Sequence, residues 1–138
     1  MATETSLVDL ETIAIGDLHE PTIAKYFEAV NAGEFQTAAA LFAVDGSLQA
    51  PFEQPIVGAE AIAAYLEAEA KGFELQPQQV TVQALEDSHT EYQVGGRVQT
   101  PLFSVNVGWR FLLNPHKEIS FVRVKLLASL EELSKLRR

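Results

Sequence analysis

Apolar positions recur along the chain with two periods, close to 3.6 residues before Pro77 and 2 after it. Residues 1–19 show no sustained period and read as an N-terminal arm. Pro21, a residue favoured in a first helical turn, opens the first patterned segment. There Ile23, Tyr26, Phe27 and Val30 fall on one helical face, and Gly33 marks a stop. A second, short helix is expected over Phe35 to Phe42, followed by an Asp45-Gly46 turn. The stretch from Ser47 to Pro55 carries two prolines and reads as a short edge strand and a loop. Gly58 opens a third helix whose apolar stripe is Ile62, Tyr65, Leu66, Ala70 and Phe73. Glu67 and Glu69 lie off that stripe, and Gly72 ends it.

Beyond Pro77 the side chains alternate. Val80 and Val82, then Tyr92, Val94 and Val98 after a polar turn from Glu86 to Thr90, predict a hairpin. Gly95-Gly96 inside its second strand predicts a bulge or sharp bend. The longest strand is expected over about Leu102 to Leu113, with Phe103, Val105, Val107, Trp109, Phe111 and Leu113 on its buried face. Asn114 to Lys117 then turn the chain into a last strand, Ile119 to Leu127. Ser129 and Glu132 form a capping box for a terminal helix. Helices first and antiparallel strands after them predict an α+β fold, the helices packed on one face of a bent sheet. Such a bend leaves an apolar concavity, the natural place for a ligand.

Composition narrows the function. The 138 residues suit a single domain over residues 20–138, and no apolar run approaches the roughly 20 residues that span a bilayer. An acidic start without a signal-peptide pattern and the absence of cysteine lead to the expectation of a cytoplasmic protein. They also exclude thiolate chemistry and cysteine-bound zinc. A net charge of −9 repels phosphate backbones, so nucleic acid is excluded as a partner. The basic cluster Lys135, Arg137 and Arg138 reads as compensation of a helix C-terminus.

Little in the sequence promises catalysis. His19, His89 and His116 fall in the arm or in turns, and no carboxylate lies on the inward face of a predicted strand. Phosphate-loop, metal-ligand and nucleophile motifs are missing, so neither catalytic nor metal residues are assigned. What remains is Tyr26 and Trp109, two residues with polar tips in phase with buried faces. An indole N–H only donates, and a phenol is neutral at pH 7, so the pair suits a neutral acceptor such as a ketone. On pattern alone each reads first as a core aromatic whose tip meets a backbone carbonyl.

The segments IAKYFEAVNAGEFQTAAALFAVDGSLQAPFEQPIVGAEAI, GRVQTP, NVGWRFLLNP and VKLLASLEELSKL resemble the C-terminal domain of the cyanobacterial orange carotenoid protein, over nearly the whole chain. The resemblance implies a nuclear-transport-factor-two-like cone and, without the helical carotenoid domain, a stand-alone homolog. It implies that Tyr26 and Trp109 hydrogen-bond the keto oxygen of a non-covalently held carotenoid, canthaxanthin or echinenone. Val57, Leu75, Val98, Thr100, Phe103 and Val124 are implied as tunnel lining. It further implies a homodimer that exchanges carotenoid with helical carotenoid proteins or membranes and quenches singlet oxygen in photoprotection. Leu102 and Lys125 depart from the family pattern, which has a tryptophan and an acid there. The segment from Leu127 to Leu136 is expected to act as a lid. Two other readings are a small isomerase-like enzyme of the same fold and a ligand-free dimerisation module. The first needs a base in the cone, the second a cone filled by the protein's own side chains.

Overall fold

The structure, a computed structural model, describes residues 12–127. The Ser129–Glu132 capping box and the basic cluster fall outside the described residues, as does all of the expected lid except Leu127. Helix α1 (Pro21–Asn31) begins where the sequence places it. Glu20 caps it, accepting the Thr22 N–H at 3.1 Å, and Pro21 fills the first turn. The Glu20 carboxylate is buried, takes the Tyr92 hydroxyl at 3.4 Å and pairs with Lys117 at 3.6 Å. One capping side chain therefore also ties the helix to the sheet. At the other end Asn31 brackets the Leu75 peptide, donating to its carbonyl at 2.9 Å and accepting its N–H at 2.6 Å. Between these anchors Ile23, Tyr26, Phe27, Ala29 and Val30 are buried.

Helix α2 (Phe35–Ala39) is shorter than the expected Phe35 to Phe42, because Phe42 already belongs to a strand. Helix α3 (Ala59–Glu69) starts after Gly58, whose φ of 96° suits glycine. The strands are β1 (Thr12–Ala14), β2 (Phe42–Gln49), β3 (Ile56–Val57), β4 (Glu74–Ala84), β5 (Thr90–Gln99), β6 (Ser104–Leu113) and β7 (Ile119–Leu127). They form one sheet in the order β1-β4-β5-β6-β7-β2-β3, antiparallel except where β2 runs parallel to β7.

Four sequence expectations change. The arm contributes β1, which pairs with β4 through Thr12 opposite Thr81. The Asp45-Gly46 turn is instead an irregularity within β2, where the register against β7 shifts between Phe42 and Ser47. Gly46 is required there, since a Cβ would lie 2.6 Å from the Ile119 carbonyl oxygen. The bulge expected at Gly95-Gly96 lies on the opposite strand. Pro77 pairs with Gly96 and Gln79 with Gly95, which leaves Gln78 as the extra residue. Gly96 supplies the room, for a Cβ would stand 2.3 Å from the Gln76 carbonyl oxygen. Finally β6 starts at Ser104, not Leu102. Thr100 closes a turn by donating its hydroxyl and its N–H to the Phe103 carbonyl, both at 2.7 Å, which turns Leu102 and Phe103 outward.

Candidate ligand-binding cavity

Strand register decides what faces the helices. Tyr92 stands opposite Phe111, Val94 opposite Trp109, and Trp109 opposite Val124, so these five side chains share the inner face. Their neighbours point to the other side. Glu91, buried on that outer face, accepts from Arg110 at 2.7 Å and Gln93 at 2.9 Å. The inner face bends over α1 and α3, and between them lies a cavity of about 330 Å³. Its wall is mostly apolar, built from Val30, Leu48, Leu66, Ala70, Phe73, Leu75, Val98, Val105, Val107, Val124 and Leu126.

Tyr26 enters from α1 and Trp109 from β6, and both line this cavity. Their rings are locked in the core. Phe27 lies 4.9 Å from Trp109 and 5.6 Å from Tyr26 between ring centroids, both edge to face. Phe111 holds the other side of Tyr26 at 5.2 Å. Their tips are free. Among the described residues no protein group bonds the Tyr26 hydroxyl or the Trp109 indole N–H, yet no sealed-off side-chain nitrogen or oxygen lacks a partner. Both polar atoms therefore open onto cavity space, and no backbone carbonyl of the described residues bonds either one. Burial, with the Tyr65 phenol adding to it, holds the Tyr26 phenol far above its ordinary pKa. It is a neutral donor throughout the physiological range.

Of the other residues named from the sequence, Leu75, Val98, Thr100, Phe103 and Val124 also line the cavity. The Thr100 hydroxyl is engaged with its own turn, accepting from the Leu102 and Phe103 N–H groups at 3.2 and 3.0 Å, so Thr100 contributes wall and not a polar contact. Phe103 sits at the edge, 56% exposed. Val57 is the exception. It pairs with Ser47, which pairs with Phe121 on the outer face, so Val57 points away from the cavity and is 60% exposed. The helical stripe alone puts Glu69 on a solvated face and Tyr65 in the core. Both line the cavity, one helical turn apart on α3. That i, i+4 spacing was the available signal. A larger groove of about 730 Å³ between α2 and α3 is floored by alanines and rimmed by Glu34, Glu60 and Glu67, away from the two donors. Among the described residues no three acidic, histidine or cysteine side chains gather as a metal site, and no helix is long and apolar enough to cross a membrane.

A curved sheet folded over helices around an apolar cavity defines a class, and the family comparison agrees. Residues 20–125 match the nuclear transport factor 2 (NTF2) domain, and the chain belongs to that family. Within it, the chain is 42% identical over 125 residues to the orange carotenoid-binding protein of Synechocystis, covering 88% of this chain and 39% of that protein. The Limnospira maxima orange carotenoid-binding protein is 41% identical over 128 residues, 90% of this chain and 40% of its own length. The Anabaena (Nostoc) orange carotenoid protein binding canthaxanthin superposes with a TM-score of 0.83 at 37% identity, over 94% of this chain and 42% of that one. The similarity falls in the C-terminal domain of these proteins, so the chain spans about two-fifths of the relatives it matches.

Proposed function

We propose that this chain binds one end of a keto-carotenoid, canthaxanthin or echinenone, non-covalently, and serves as a carotenoid carrier in photoprotection. The observation that carries the reading is the pair of donor tips, Tyr26 and Trp109, without a partner among the described residues, at the wall of a mostly apolar cavity. Burying about 300 Å² of polyene contributes on the order of 7 kcal/mol before ordering costs, while each hydrogen bond nets about 1 kcal/mol. Area holds the ligand; the donors choose its end. Two neutral donors cannot abstract a proton, and the carboxylate on the wall, Glu69, is exposed to water. The chemistry is therefore that of binding and not of catalysis.

The cavity holds only one end of a long polyene, so the rest must be covered elsewhere. In this reading a second copy of the chain covers it, and helical carotenoid proteins receive it. Singlet-oxygen quenching follows from the polyene itself. Membranes are the other source. Phe52 and Leu102 are 95% and 88% exposed, and Phe103 and Leu126, on the cavity wall, are about half exposed. Arg123 and Lys125 share a surface furrow with Phe52 and Leu126. An apolar rim with cations beside it suits brief contact with a lipid surface. The test is to incubate the purified chain with lipid vesicles carrying canthaxanthin or β-carotene, remove the vesicles and record the visible spectrum. Uptake of canthaxanthin with a red-shifted band, well above uptake of β-carotene, is expected. A colourless protein from both would remove the function.

A further inference from the structure

Two donors serve one ketone only if their spacing is right. A carbonyl oxygen takes two hydrogen bonds of about 2.9 Å along its two lone-pair directions, so the donor atoms must stand roughly 5 Å apart. A drift of about 1 Å carries either one out of hydrogen-bond range. Tyr26 sits on α1 and Trp109 on β6, so side-chain packing, and not a shared backbone, must set that distance. Among the described residues one aromatic ring packs on both. Phe27 meets the Trp109 ring at 4.9 Å and 84° and the Tyr26 ring at 5.6 Å and 82°. Its own position is fixed by the helix that carries Tyr26 and by Phe111, 5.6 Å away.

The two donors do not depend on Phe27 equally. Tyr26 is also flanked by Phe42 and Phe111, whereas Phe27 is the one aromatic ring on Trp109 among the described residues. Phe27 is buried, yet it is not part of the cavity wall, so it reaches a ligand only through the residues in front of it. We propose that Phe27 is a positioning residue that holds the Trp109 indole where it and the Tyr26 hydroxyl can meet one ketone oxygen, and thereby sets the preference for a keto end without touching the ligand. This inference rests on the keto-carotenoid reading. Loss of the ring frees the indole while the apolar wall stays in place, so the contribution of the ketone falls and that of the polyene persists.

The test has two arms, both on the full chain. Trp109 is the sole tryptophan, so its emission reports on this indole alone. Time-resolved fluorescence anisotropy of the ligand-free wild type should show an indole that turns only with the whole protein, and Phe27→Leu should add a fast component. The second arm titrates canthaxanthin and β-carotene, which lacks the ketones. Phe27→Leu should lower the canthaxanthin-to-β-carotene affinity ratio roughly fivefold, the worth of one hydrogen bond, with β-carotene affinity unchanged. In a Trp109→Phe background it should lower that ratio no further, because the group it positions is gone. Phe27→Met, a flexible filler in place of a rigid ring, should change both readouts in the same direction to a smaller extent and covers a leucine variant that does not fold. An unchanged ratio in whichever variant folds, an equal loss for both pigments, or a further fall in the Trp109→Phe background would overturn the proposal while the wild-type preference for canthaxanthin stood. A wild type that binds neither pigment, or both equally, would instead sink the keto-carotenoid reading, and this inference with it.

Discussion

Tyr26→Phe removes one oxygen and almost nothing else. The ring keeps its edge contacts with Phe27, Phe42 and Phe111, at centroid distances of 5.6, 6.3 and 5.2 Å. A buried hydroxyl bonded to protein costs about 1 kcal/mol when deleted, which for a domain of this size lowers Tm by roughly 3 °C. The Tyr26 hydroxyl has no protein partner among the described residues, so its deletion should move Tm of the ligand-free chain by less than that. With canthaxanthin bound the same deletion removes one hydrogen bond of about 1 kcal/mol, about fivefold in affinity. The area contribution of about 7 kcal/mol persists. Pigment should therefore still bind, with its absorption band shifted to shorter wavelength. Differential scanning fluorimetry of the ligand-free protein and spectroscopic titration separate the two effects. A Tm loss well above 3 °C together with unchanged affinity and spectrum would mean that the hydroxyl serves the fold and not the ligand, and would overturn its assignment as a ligand donor.

Two further outcomes follow from the frame of the site. Gly96→Ala forces a Cβ to within 2.3 Å of the Gln76 carbonyl oxygen, backbone that cannot step aside, so a loss of about 3 kcal/mol or failure to fold is expected in denaturant melts. Stability should also fall in alkali. Burial, then Glu20, pushes the Tyr92 phenol up from 10.0 to about 12, so the folded state holds the proton more tightly than the unfolded one. That contribution is complete below about pH 10 and is lost as pH rises toward 12, with Tyr26 acting in the same direction. Urea midpoints at pH 8, 10 and 11 should decline more steeply for the wild type than for Tyr92→Phe; parallel curves would contradict the assignment.

Most of the helical part of the fold was legible because its periods are long and its ends carry strong local signals. Pro21 and Gly58 mark the starts of α1 and α3 by backbone chemistry alone. The strands were less legible where long-range pairing overrode local cues. Asp45-Gly46 carries a turn signal, yet β7 recruits it into a strand and absorbs the irregularity. Pro77 looked like a boundary, but it sits inside β4 at a bulge, where its missing N–H costs little. For the site, Tyr26 and Trp109 stood out because polar tips on apolar faces are detectable by phase. That neither has a protein partner among the described residues was not detectable, since it depends on how the sheet closes over α1 and α3. Val57 was misplaced for a related reason, as a two-residue strand carries too little alternation to fix which way it faces. Tyr65 and Glu69 were missed because an amphipathic stripe does not show where packing ends and open space begins.

If Tyr26 and Trp109 jointly hold a ligand ketone as proposed, the carbonyl stretch of bound, carbonyl-¹³C-labelled canthaxanthin reports on that contact directly. Infrared difference spectra should place one carbonyl of the protein-bound pigment below its frequency in hexane, moving part of the way back in Tyr26→Phe and in Trp109→Phe and most of the way in the double variant. A bound pigment whose carbonyl frequencies match those in hexane, and do not respond to either substitution, would contradict it.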